Sequence, residues 1–114
     1  MTLDNLGRRG AFSNVSFSAH KGEILGIGGL VGSGRTEVLR CIFGADKYDS
    51  GSILFKDAPL TGNSKKRILK GFGLIPEDRR GQGFIPLLSI EKNIALTNYD
   101  ALSTNGVVNT RGEK

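Results

Sequence analysis

The chain has 114 residues, 38% of them hydrophobic and 24% charged, which excludes a charge-dominated disordered chain and fits one small domain or part of a larger one. Its 16 Lys and Arg against 11 Asp and Glu give a net charge of +5, and its 17 glycines follow no three-residue period, so a collagen-like chain is excluded. A single cysteine excludes an internal disulfide framework and fits a reducing, cytoplasmic setting.

In chain order, Val15-Ser16-Phe17-Ser18-Ala19 alternates and predicts a half-buried strand. His20 to Glu23 reads as a turn, and Glu23 to Gly28 as a second strand, apolar on both faces. The glycine-rich stretch Gly29 to Gly34 follows at once. Arg35 to Phe43 then carries Val38, Leu39, Ile42 and Phe43, the stripe of a helix with one buried side, and Gly44 is placed to stop it. Tyr48 to Gly51 predicts a turn, and Ser52 to Lys56 a short strand ending at Asp57-Ala58-Pro59. Ser64 is placed to cap a basic helix through Lys70 with Ile68 and Leu69 inward, and Phe72 to Pro76 reads as another strand. Glu77 to Gly83 is a charged loop. Ser89 opens a helix leading to Ile94 and Leu96, and from Ser103 to Lys114 no periodicity survives. This order defines an α/β chain.

Asp4, Arg8 and Arg9 interrupt the start before a signal-peptide core forms, and the most apolar run, Ile24 to Gly32, is far short of the roughly twenty residues of a spanning helix. Basic residues cluster at Arg8-Arg9, at Lys65-Lys66-Arg67 with Lys70, and at Arg79-Arg80. A nucleic-acid face would interleave aromatics with that charge. Here Trp is absent and the Phe residues sit inside apolar runs, so the charge points to solvated faces or anionic phosphate ligands rather than nucleic acid.

One motif carries chemistry. Gly29-Leu30-Val31-Gly32-Ser33-Gly34-Arg35-Thr36 fits the phosphate-loop spacing G-x-x-x-x-G-K-[ST], with Arg in place of Lys. Glycines let the backbone curl its N–H groups toward phosphate oxygens, and the helix that follows adds its own unsatisfied N–H groups and positive dipole end. Thr36 would set a hydroxyl on Mg²⁺, and Arg35 would neutralise the β- and γ-phosphates. The alternative, a glycine turn without ligand, does not call for a cation followed by a hydroxyl. A dinucleotide G-x-G-x-x-G fails on spacing, meeting Val31 or Glu37 where the last small residue is required. A guanidinium binds phosphate as a planar fork rather than a point charge, so the expectation is nucleotide binding with slow hydrolysis.

The stretch Lys21-Gly22-Glu23-Ile24-Leu25-Gly26-Ile27-Gly28 running on through Thr36-Glu37, with Ile42-Phe43-Gly44 and Ser50-Gly51 followed by Ile53, resembles ABC transporter ATPases. More narrowly, it is similar to the ATP-binding subunits of bacterial sugar importers of the ribose, galactose and xylose class. Those subunits carry two fused cassettes, and the second has Arg and then Thr-Glu at this point. The resemblance implies the N-terminal part of that second cassette: a partial P-loop NTPase domain over 1–102, an antiparallel β-subdomain plus a truncated RecA-like core, with 103–114 as a tail. It implies ATP and Mg²⁺ as cofactors, with Gly29, Gly32, Ser33, Gly34, Arg35, Thr36 and Glu37 around the phosphates. It also implies transmembrane permease subunits and a second cassette as partners, and a place in the cytoplasm on the inner face of the membrane.

Gly73 to Arg80 falls where the family has its Q-loop, with Glu77 at the position of the Gln. The resemblance makes Glu77, with Thr36, a Mg²⁺ ligand; the alternative is a solvent-facing carboxylate paired with Arg79 or Arg80. Phe84 to Leu96 corresponds to the region facing the membrane subunits, so Phe84, Ile85, Leu87 and Leu88 are either a docking patch or ordinary core. The adenine-stacking aromatic has no clear counterpart: Leu6 and Arg8 stand nearby, and Phe12 reads as core. The sequence holds no L-S-G-G-Q-like signature, no apolar strand ending in Asp-Glu and no switch histidine, His20 being a turn residue and Cys41 a small core residue. The 114 residues alone are therefore expected to hydrolyse little or nothing, and unpaired edges of the family's sheet to invite association. The rival reading is a non-catalytic docking or regulatory module that meets the membrane subunits without holding nucleotide.

Overall fold

The computed structural model describes residues 1–96 and the backbone of 103–104 and 107–108. The chain divides into two compact units, Met1–Leu74 and Ile75–Lys114.

The first unit is an antiparallel sheet covered by a helix. Its strands are β1 (Thr2–Arg8), β2 (Phe12–Ser18), β3 (Ser50–Phe55) and β4 (Ala58–Pro59), and its helices α1 (Arg35–Phe43) and α2 (Ser64–Leu69). The sheet runs in the order β2-β1-β3-β4, each neighbour antiparallel to the next. β1 precedes every strand predicted from the sequence. Its alternation is broken because Leu3 and Leu6 lie three residues apart, which a regular strand would place on opposite faces. Asn5, at φ 47°, is an extra residue in β1: Leu3 pairs with Phe17 and Leu6 with Val15, so three steps on β1 oppose two on β2. That bulge turns both leucines to the core side. Asn14, at φ 55°, repeats the device on β2, between the pairs Leu6–Val15 and Arg8–Phe12.

The core is Leu3, Leu6 and Ile53 from the sheet, Val38, Cys41 and Ile42 from α1, and Leu60 just beyond β4. Phe12, Val15, Phe17, Tyr48, Phe55 and Phe72 pack around it. Each such side chain contributes about 1.5–3 kcal/mol of burial. α1 ends where predicted, at Gly44 in the left-handed region. Its buried stripe is Val38, Cys41 and Ile42; Leu39, expected inward, faces outward at 42% exposure. Lys56 and Asp57, at φ 52° and 60°, close the β3–β4 hairpin, the two successive positive φ values of a type I′ turn.

Four expectations from the sequence differ from the fold. Neither Glu23–Gly28 nor Phe72–Pro76 forms a strand, and Ile24 is fully exposed. A parallel strand needs a hydrogen-bonded neighbour, usually on both sides, and among the described residues none flanks either segment. α2 is capped by Asn63, whose side chain accepts from the Lys66 N–H, rather than by Ser64. On α2, Ile68 and Leu69 are exposed while Arg67 is buried, the reverse of the expected face.

Beside the end of α1, Asp46 accepts from Arg40 Nε and Nη2 at 2.8 and 2.9 Å and from Arg8 Nη1 at 2.6 Å. The Arg40 hydrogen bonds, then the one from Arg8, hold its carboxyl down at about 2 against an ordinary 3.8. The depressed value means this stabilisation is complete above pH 4 and is lost as pH falls toward 2. Asp46→Asn is expected to remove about 1 kcal/mol at pH 7, after allowing for solvent screening, and to flatten that part of a stability–pH profile measured by urea unfolding.

In the second unit, Arg79–Gly83 forms a π-helical turn opened by Asp78, whose carboxylate accepts from the Gly81 N–H at 3.0 Å. Helix α3 (Ile90–Ala95) starts at Ser89 as predicted, with the hydroxyl accepting from the Lys92 N–H. The segment expected as a tail lies largely outside the described residues; within it β5 (Ser103–Thr104) pairs antiparallel with β6 (Val107–Val108). Among the described residues no helix is long and apolar enough to cross a membrane.

Candidate functional site

The candidate site is the head of α1 and the glycine-rich loop that feeds it. The Ser33 N–H donates to the Leu30 carbonyl at 3.1 Å, closing a turn with Gly32 at its third position and φ 80°, a conformation that favours glycine. Gly34, at φ 87°, is the residue before the helix, and its carbonyl accepts the first helical bond, from the Val38 N–H at 3.0 Å. No side chain caps this helix start. Gly34 itself brings no side-chain oxygen to this helix start, whose positive dipole end suits an anionic ligand.

Two close approaches gather the loop. A Cβ on Gly29 would meet Ser33 Oγ at 2.7 Å and Arg35 Cδ at 3.4 Å, so Gly29, Ser33 and Arg35 lie together. A Cβ on Gly34 would meet the Ala11 carbonyl oxygen at 2.6 Å and Phe12 Cβ at 3.0 Å, so the loop ends against the β1–β2 turn. Gly34 is buried, Glu37 half-buried, and Gly29, Gly32, Ser33, Arg35 and Thr36 are exposed. The predicted phosphate residues thus occupy one short, solvent-facing turn of backbone in the first unit.

Glu77 is exposed in the second unit, its carbonyl accepting from the Arg79 N–H at 3.1 Å. Phe84, Ile85 and Leu87 are exposed, Leu87 at 96%, and Leu88 is half-buried. Phe12 packs against the core. His20 is in an exposed turn, its backbone N–H at 2.6 Å and its ring Nδ1 at 3.0 Å from Glu23 Oε2. These bonds, the backbone one first, hold the Glu23 carboxyl below its ordinary range.

No group of three or more His, Cys, Asp or Glu side chains among the described residues could hold a metal ion. A cation here would rest on hydroxyl oxygen and on the ligand's own oxygens, which suits Mg²⁺, an ion that keeps several waters and binds with substrate phosphates. The Thr36 hydroxyl, in the first turn of α1, is a donor of the right hardness. ATP with Mg²⁺ therefore fits the residues present.

Two residues escaped the sequence reading. Asn93 ties the loop before α3 to the helix: Oδ1 accepts from the Ile85 N–H at 2.7 Å, and Nδ2 donates to the carbonyls of Ile85, Leu88 and Ser89. Arg67 is only 4% exposed and donates to backbone carbonyls throughout. Neither carries a local signal, since Arg67 stands in a basic run that reads as a solvated face.

The ABC transporter family profile matches residues 12–113, and the chain belongs to that family. It is 41% identical over 115 aligned residues to ribose import ATP-binding protein RbsA 1 of Streptomyces avermitilis, covering 100% of this chain and 22% of that protein. It is 44% identical over 113 residues to ribose import ATP-binding protein RbsA 1 of Rubrobacter xylanophilus, covering 98% and 23%. To ribose import ATP-binding protein RbsA of Geobacillus kaustophilus it is 37% identical over 115 residues, covering 100% and 23%. The chain thus spans less than a quarter of the length of these curated relatives. No solved structure matches it significantly.

Proposed function

We propose that this chain is an ATP-binding component of an ABC sugar importer, holding the phosphates of Mg-ATP on the loop from Gly29 to Glu37. The observation that carries the reading is the uncapped start of α1 behind a left-handed glycine, followed at once by a cation, a hydroxyl and a carboxylate, Arg35, Thr36 and Glu37. Backbone N–H groups of the loop and first helical turn bind phosphate oxygens, Arg35 neutralises their charge, and Thr36 holds Mg²⁺. The names of the relatives support ribose or a related sugar as the cargo of the whole assembly. In that assembly the chain works on the cytoplasmic face of the membrane with transmembrane permease subunits and a second nucleotide-binding cassette. The exposed Phe84, Ile85 and Leu87 support a docking surface for the permease. Arg35 in the lysine position, with no L-S-G-G-Q-like stretch or Asp-Glu strand end in the sequence, supports binding without turnover by these 114 residues.

The test is calorimetric titration of the 114-residue chain and its Thr36→Ala variant with ATP, with and without Mg²⁺. The parent is expected to bind more tightly with Mg²⁺. The variant is expected to lose that difference and roughly ten- to a hundredfold in affinity, the range for a hydrogen bond to a charged group. Equal affinities in parent and variant would overturn the role of Thr36. No binding by a folded parent would leave the docking module without nucleotide as the reading.

A further inference from the structure

The guanidinium of Arg67 is buried, and the acceptors it reaches are backbone carbonyls. Nη1 donates to Cys41 O at 2.6 Å and Ile42 O at 2.5 Å, Nε to Gly62 O at 3.2 Å, and Nη2 approaches Leu60 O at 3.5 Å. As a source of stability this is a poor arrangement, because burying a charge is costly and an apolar side chain of the same volume often serves as well. What a planar fork does, and an apolar side chain does not, is fix backbone groups in place. Two of its acceptors are carbonyls in the last turn of α1, the helix whose first turn carries Arg35, Thr36 and Glu37.

We propose that Arg67 is a positioning residue of the phosphate site: from α2 it grips the last carbonyls of α1 and so sets the uncapped first turn of that helix against the β1–β2 turn. The inference rests on the reading of that turn as the Mg-ATP phosphate site.

Three features support it. The apolar contacts of α1 lie along one face, Val38, Cys41 and Ile42, which resists tilting but does little against sliding or turning of the helix. The clamp at the carbonyls supplies that axial restraint, and a helix is rigid enough to carry it over the roughly 13 Å of its nine residues. Next, Gly44 leaves the guanidinium its room: a Cβ there would meet Arg67 Nε at 2.8 Å and Cδ at 2.9 Å. Finally, the two ends of α1 are treated oppositely. The tail has the Gly44 N–H and Arg67 on its carbonyls, while the head has no side-chain cap. A cation at the negative end and a phosphate at the positive end act on one dipole in the same sense.

Coupling of this kind is reciprocal, so the unmodified chain tests it first. In ¹H–¹⁵N spectra of the parent, Mg-ATP is expected to shift the Arg67 Nε–H signal and slow its exchange, alongside shifts of the Arg35 to Glu37 amides. Arg67→Met and Arg67→Lys are expected to weaken Mg-ATP binding roughly fivefold or more, with Lys recovering part of the loss, while the amides of the β1–β2 hairpin stay in place. Loop amides that move while Arg67 Nε–H does not would overturn the proposal. So would variants that melt earlier but bind Mg-ATP as the parent does. If Mg-ATP moves no amide of the parent, the nucleotide reading falls by itself. The clamp is then decided without ligand: displaced Arg35 to Glu37 amides in either variant uphold it, and undisplaced ones overturn it.

Discussion

Replacing Gly34 by alanine is expected to destabilise the first unit by about 2–4 kcal/mol and to abolish measurable Mg-ATP binding. Two costs combine at this position. With φ at 87°, an L-side chain is strained by about 1–2 kcal/mol. The new Cβ would also meet the Ala11 carbonyl oxygen at 2.6 Å and Phe12 Cβ at 3.0 Å. Backbone in a hairpin turn cannot give way as the end of a flexible side chain does, so the loop itself must move off the hairpin. Gly32→Ala is the control. Gly32 has nearly the same φ, 80°, but nothing lies within 4 Å of its added Cβ, so only the strain of about 1–2 kcal/mol remains. Urea unfolding of both variants separates the two costs: the midpoint falls further for Gly34→Ala, with the slope unchanged.

Leu6→Ala is expected to cost about 3–4 kcal/mol, a large part of the stability of a domain this size. Leu6 is fully buried, and the bulge at Asn5 turns it onto the same side as Leu3, among Ile53 and the inner face of α1. Bulged backbone pinned by pairing on both sides, to Val15 of β2 and through Gly7 to Ser50 of β3, cannot collapse onto the vacated space. Ile24→Ala, by contrast, is expected to change stability by less than about 0.5 kcal/mol, because Ile24 is fully exposed. Thermal unfolding of the two variants measures both. A large loss for Ile24→Ala would show that the stretch leading into the loop is packed as a buried strand after all.

The sequence announced some of this architecture and concealed the rest, for physical reasons. α1, its Gly44 stop and the glycine loop were legible because helix period, glycine stops and phosphate-loop spacing are local patterns. β1 was hidden, since an αL asparagine inside a strand destroys the alternation by which strands are found. Glu23 to Gly28 failed the other way. A short apolar run reads as a strand buried on both faces, yet strand formation depends on neighbours that no local pattern encodes. The candidate phosphate residues stand out by type and spacing. What holds them does not: Gly34 against Ala11 is a contact across more than twenty residues, and Arg67 on Cys41 and Ile42 one across about as many. Charge alone would have put Arg67 in water. Its burial follows from carbonyls that only the folded helix end presents.

An amide titration of the unmodified chain with Mg-ATP decides whether the loop from Gly29 to Glu37 is a phosphate site. The expected result is a dispersed spectrum in which the shifts concentrate on Gly32 to Glu37, with the Ala11 and Phe12 amides following because Gly34 rests on them. A dispersed spectrum in which those amides stay fixed while ATP is raised to millimolar concentration would contradict it.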